Sequence, residues 1–245
     1  LGVIMGFQGD QEKSKQYVDA ALKIEPSHLV AGMNSIFVRS HLDTEPEELL
    51  RVRKEFEFTH RPVKLCGKFK EWDRNPNKKL NIGYVSSDFR LHSAVSTFLP
   101  LLEGHDKENF NVFAYAGLLN YKEDEVTERC KKAVDVWRDL RDTSMEQVCS
   151  TIRNDKIDIL VDLVGFTESG LIMVFMHKPA PIQVTGWGFA TGTGLDAMDY
   201  FVADNITVRE DEALFYREDV LTLPSIIPFA PTATPPIISS PSELH

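Results

Sequence analysis

The stretch IGYVSSDFRLHSAVSTF, residues 82–98, decides how the chain is read. It opens with a short apolar run of the kind a strand covered on both faces requires, breaks into a polar loop with Ser86, Ser87, Asp88, Arg90 and His92, and resumes as an apolar helix. Strand, loop and helix make the first part of a βαβ unit, with the loop at the strand's carboxyl end. Further runs follow at FNVFAYA (110–116), AVDVW (133–137), IDILVDLVG (157–165), PIQVTGW (181–187) and DYFVAD (199–204). Helical patterns stand between several of them, near 94–104, 123–132, 144–154 and 168–177. Strands alternating with helices predict an α/β lobe over 78–225, a Rossmann-like parallel sheet with helices on both faces. Ligands of such sheets bind beyond the carboxyl ends of the strands, so a histidine just past IGYV is placed to face that crevice.

Residues 1–60 read as helical. GDQEKSKQYVDAALKIEP (9–26) spaces Tyr17, Val18, Ala21, Leu22 and Ile24 near helical periodicity and stops at Pro26. Ser27 is the predicted N-cap of a second helix and Thr44 that of a third, with Pro46 in its first turn. Leu1, Gly2, Gly9, Ala21 and Pro26 stand at the spacings of the second half of a tetratricopeptide repeat, a pattern that an ordinary helical pair also produces. Residues 1–70 are therefore expected to be a repeat-like helical segment with linker helices. The Pro/Ser-rich stretch 226–245 is expected to be a linker. A start without methionine and that tail together suggest a chain cut at both ends.

Composition narrows the functions. A formal net charge of -10 over 245 residues argues against a general grip on nucleic acid. No run approaches the roughly 18 apolar residues of a membrane span, and the three cysteines are too scattered for a disulfide framework or a CxxC metal site. The expectation is a cytoplasmic protein with no bound metal, no membrane and no nucleic acid.

Three features carry candidate chemistry. His92, beside Ser86, Ser87 and Asp88, has the residue type for a general base or a donor to an anionic ligand; spacing alone fits better a plain residue at a helix start with Asp88 or Ser93 as cap. Asp158 and Asp162 share one face of their strand. Asp162 lies nearer the carboxyl end and is the site candidate, while Asp158 is read as solvated at the strand's entrance. The stretch PAPIQVTGWGFATGTG (179–194) interleaves glycines with Thr185, Thr191 and Thr193, giving a backbone that either approaches a ligand closely or forms a tight structural loop. It matches neither GxGxxG nor the Walker pattern, and no GxSxG elbow occurs in the chain.

LNIGYVSSDFRLHS (80–93), DKIDILVDLVGFT (155–167), KPAPIQV (178–184) and MDYFVAD (198–204), in this order, resemble the protein O-linked N-acetylglucosamine transferase family, including its Spindly-type relatives. The resemblance covers nearly the whole chain. It implies an inverting, metal-independent glycosyltransferase of two Rossmann-like lobes (GT-B), of which this chain holds the end of a repeat array and the amino-terminal catalytic lobe. By the same resemblance His92 is the catalytic residue and Gly165, Thr167 and Gln183 are site residues; Ser87, Asp88 and Asp162, from their place at strand ends, and Thr191, Gly192 and Thr193, from the glycine-rich loop, complete the expected substrate site. No cofactor is implied. The donor is expected to be UDP-GlcNAc, bound mainly by the second lobe, and the partners acceptor proteins or peptides, so this chain alone is expected to be inactive. Two alternatives stand beside this reading: O-fucosyl transfer of the Spindly type, and a non-catalytic repeat-plus-Rossmann interaction module.

Overall fold

Seven strands pair in parallel in the order β3-β2-β1-β4-β5-β6-β7. The computed structural model describes residues 1–226 apart from 64, 67, 68, 70, 71, 118–121, 168, 169 and 190. The expected linker 226–245 therefore lies, but for Ile226, outside the described residues.

Four helices lead: α1 (Gly2–Phe7), α2 (Gln11–Ile24), α3 (Leu29–Arg39) and α4 (Pro46–His60). The lobe follows as β1 (Leu80–Ser86), α5 (Val95–Glu103), β2 (Phe110–Ala116), α6 (Glu125–Ala133), β3 (Val136–Asp139), α7 (Met145–Asn154), β4 (Ile159–Asp162), α8 (Ile172–Met176), β5 (Ile182–Thr185), β6 (Tyr200–Asp204) and β7 (Asp219–Leu223). The chain runs outward from β1 to β3, returns to the other side of β1 at β4, and then runs outward again. The order of connection thus reverses between β1 and β4, and the loops leaving those two strands diverge to open a crevice.

Alternation along the strands builds two cores. On one sheet face Ile82, Tyr84, Val112 and Ala114 pack with Phe98 and Leu102 of α5 and Cys130 of α6. On the other, Val85, Phe113, Tyr115 and Leu160 pack with Val148 and Ile152 of α7 and Phe175 of α8. That second core also contains Met33 and Ile36 of α3 and Val52 and Phe56 of α4, with Phe56 edge-on to Phe166 at 5.3 Å. The leading helices thus share the core of the sheet. At their start α1 and α2 form a tight pair: Gly9 turns between them at φ +82, and a Cβ on Gly2 would sit 3.0 Å from Val18.

Several local expectations are corrected. His28, not Ser27, caps α3, its Nδ1 accepting from the Ala31 amide at 3.2 Å. Glu45, not Thr44, precedes α4, which starts at Pro46 without a side-chain cap; proline suits that first position because its fixed φ is already helical. β4 is shorter than its apolar run: the Asp162 carboxylate takes the Val164 and Gly165 amides, and Gly165 turns at φ +58, so the strand ends there. Asp158 is buried, not solvated, and accepts from Trp72 Nε1, Lys78 Nζ and the Asn81 amide. β7, which among the described residues pairs only with β6, is not among the expected strands; as an edge strand it stays largely exposed and lacks a buried apolar run.

Candidate active site

The loop leaving β1 is held from below. Ser86 Oγ accepts the Asp88 amide at 3.0 Å, and Phe89 inserts fully buried between Phe98 and Trp137. Asp124, the cap of α6, accepts the Leu91 amide at 2.7 Å, and that amide is the first reason its carboxyl lies below the ordinary range. With these anchors the loop turns its polar side chains into the crevice. Ser87 Oγ donates to Asp88 Oδ2 and Arg90 to Asp88 Oδ1, each at 3.3 Å. His92 Nδ1 lies 3.8 Å from Asp88 Oδ1, and its side chain is 39% exposed. The same Nδ1 accepts the Ala94 amide at 3.3 Å, which leaves the proton of a neutral ring on Nε2. In this arrangement His92 presents a donor.

β4 supplies the opposite rim. Asp162 is buried at its end, where Oδ1 accepts the amides of Val164 and Gly165 and Oδ2 the hydroxyl of Thr185 at 2.8 Å. Burial pushes its carboxyl above the ordinary value, against the pull of those donors. Asp162 therefore shapes the turn that delivers Phe166 and Thr167. Gly165 is required twice there, by its positive φ and because a Cβ would lie 2.4 Å from Phe189. Thr167 Oγ1 is buried and has no hydrogen-bond partner among the described residues.

These rims and the leading helices enclose a cleft of about 1040 Å³. Ser87, Asp88, Arg90, His92 and Thr167 line it from the sheet, Trp187 and Gly188 from the loop after β5, and Asn34, Phe37 and His41 from α3 and the turn after it. The helical wall was missed in the sequence, because only the packing of α3 on the sheet brings it to the crevice.

The remaining candidates go elsewhere. Gln183 is fully buried near the start of β5, its Nε2 donating to the carbonyls of Phe175 and Ala197. Thr191 accepts from Arg53, and Thr193 donates its amide at 2.5 Å and its hydroxyl at 2.6 Å to Glu218, which also takes the Gly194 amide. At Gly192 a Cβ would lie 2.6 Å from Tyr216. None of these four lines the cleft.

Residues 57–228 match the family model described as Glycosyl transferase family 41. The chain is 33% identical over 240 residues to a probable UDP-N-acetylglucosamine–peptide N-acetylglucosaminyltransferase SPINDLY of Oryza sativa subsp. japonica, covering 94% of this chain and 25% of the relative. To the probable UDP-N-acetylglucosamine–peptide N-acetylglucosaminyltransferase SEC of Arabidopsis thaliana it is 35% identical over 170 residues, 68% of this chain and 16% of that one. The structure of an O-GlcNAc transferase variant from Thermobaculum terrenum superposes with a TM-score of 0.86 at 27% identity, over 95% of this chain and 45% of that chain. The chain thus spans a quarter or less of the curated relatives it matches here.

Proposed function

The chain belongs to glycosyl transferase family 41, and from that premise we propose that it is the amino-terminal catalytic lobe of a protein O-glycosyltransferase moving N-acetylglucosamine from UDP-GlcNAc to Ser or Thr hydroxyls. One observation carries this reading: Ser87, Asp88, His92 and Thr167 meet in one cleft at the carboxyl ends of β1 and β4, where the sheet's connections reverse.

The reaction is a direct displacement. The acceptor oxygen attacks the anomeric carbon and gives its proton to water, and the bond to the diphosphate breaks with its electron pair leaving on UDP from the opposite face, so the configuration inverts. The lobe's task in this step is positioning. His92 Nε2–H suits an oxygen of the sugar phosphate or of the acceptor, Asp88 fixes the loop that carries it, and Thr167 Oγ1 offers a hydroxyl still in need of a partner. The charge of the leaving diphosphate falls to a second lobe, where a helix N-terminus is a suitable receptor. The helices α1 to α4, read as the end of a tetratricopeptide array, form the platform beside the cleft for an acceptor protein. No described helix is long and apolar enough to cross a membrane, and we place the enzyme in the cytoplasm, where protein acceptors and nucleotide sugars meet.

The test is transfer of labelled sugar to acceptor peptides by the whole protein that contains this lobe, with UDP-GlcNAc and GDP-fucose offered separately. Transfer from UDP-GlcNAc, reduced about 100-fold in His92→Ala, is the expected result. Transfer from GDP-fucose alone would replace the donor. Peptide binding without transfer from either would leave a non-catalytic interaction module.

A further inference from the structure

Outside the cleft, three side chains from three separate elements converge. Cys66 lies in the segment between α4 and β1, Cys149 in α7 and His177 at the end of α8. Their two sulfurs and a ring nitrogen all lie within 4.8 Å of one another. None of the three lines the cleft, so the cluster is separate from the proposed transfer chemistry. We propose that Cys66, Cys149 and His177 form a binding site for a zinc ion.

Geometry supports this first. A tetrahedral zinc with sulfur at about 2.3 Å and nitrogen at about 2.0 Å sets its ligands roughly 3.5–3.8 Å apart. The side chains need to close by about an ångström at most, within the reach of rotamer adjustment. The scaffold is already drawn together: the Cys66 amide donates to the His177 carbonyl at 2.8 Å, and α7 packs against α8.

Ligand chemistry selects the ion. Two thiolates and an imidazole favour zinc over magnesium or calcium, which take oxygen ligands. On binding, the cation displaces the thiol protons, so that both cysteines ligate as thiolates. Cys66 is half-buried, which gives the ion a path from solvent and leaves water for the fourth position. The consequence is a clip holding the long connection between α4 and β1 against α7 and α8. The expectation of no metal rested on the absence of paired spacing in the sequence, and these ligands come together only in the fold.

Cobalt(II), whose thiolate complexes absorb in the near ultraviolet, is the probe, with the chain kept reduced. One equivalent per chain with a thiolate-to-metal band is expected, displaced by zinc, and zinc should raise the thermal unfolding midpoint. Cys66→Ser and Cys149→Ser should lose the band, His177→Ala should weaken cobalt binding, and Cys130→Ser, buried on α6, should keep it. Should Cys149→Ser fail to fold, the half-exposed Cys66 and His177 positions still decide the matter. A reduced chain that takes up no more cobalt than Cys66→Ser, or that forms a Cys66–Cys149 disulfide on standing while never binding metal, overturns the proposal.

Discussion

Two loops leave the carboxyl edge of the same sheet and spend their residues in opposite directions. The loop after β1 buries its apolar member, Phe89, and turns Ser87, Asp88, Arg90 and His92 to the cleft. The loop after β5 does the reverse over most of its length. Its glycines let Leu163, Tyr216 and Arg53 press against backbone, and its threonines are consumed by Arg53 and Glu218. Of its described residues, Trp187 and Gly188 alone line the cleft. Glycine density signals close approach, but the approaching group here is the protein itself.

The largest effect should come from breaking that inward packing. A Cβ at Gly188 would lie 1.5 Å from the Leu163 carbonyl oxygen, a backbone atom that cannot swing aside as the tip of a side chain would. Gly188→Ala is expected to cost about 3 kcal/mol in chemical denaturation. A loss under about 0.5 kcal/mol would mean that the loop is free of the sheet and available to a ligand.

Asp162→Ala comes next. It strands the Val164 and Gly165 amides and the Thr185 hydroxyl in the interior, at a cost of about 2 kcal/mol. Asp162→Asn keeps one acceptor oxygen for the two amides and should recover much of that loss. If both variants unfold alike, the carboxylate's charge rather than its hydrogen bonds organises the turn.

A third strand end sharpens the contrast in acid. Asp204, closing β6, accepts the Thr207 amide and hydroxyl and the amides of Ile226 and Ile206, and the Thr207 amide is the main reason its carboxyl falls from 3.8 to about 2. A depressed carboxylate stabilises the fold above its unfolded value, and that stability is lost as pH falls through the folded one. The difference in unfolding midpoint between the wild type and Asp204→Asn should therefore be full at neutral pH and shrink between about pH 4 and pH 2. A difference constant over that range would show that the carboxylate is not charged in its turn.

The strands β1, β2 and β6 were legible as apolar runs because they are covered on both faces, and the position of His92 followed from the rule about carboxyl ends. Asp162 was legible as important but not in its role, since a buried carboxylate that ties a turn and one that faces a ligand share the same place in a sequence. β7 escaped because an exposed edge strand has no apolar signature. Phe37 and His41 escaped because nothing local to α3 says that its wall faces a crevice more than 40 residues downstream.

His92→Ala should have the smallest effect on stability. The side chain is 39% exposed and the hydrogen bond it accepts from the Ala94 amide, at 3.3 Å, is long. Water replaces such a bond at little cost, so the change in unfolding free energy should stay within about 0.5 kcal/mol. A residue that the fold does not need, placed by Ser86, Phe89 and Asp124 at the switch of the sheet, is one whose anchoring serves something other than folding. If calorimetry instead finds His92→Ala as damaging as Asp162→Ala, the loop after β1 belongs with the loop after β5, and its polar residues are there to hold the lobe together.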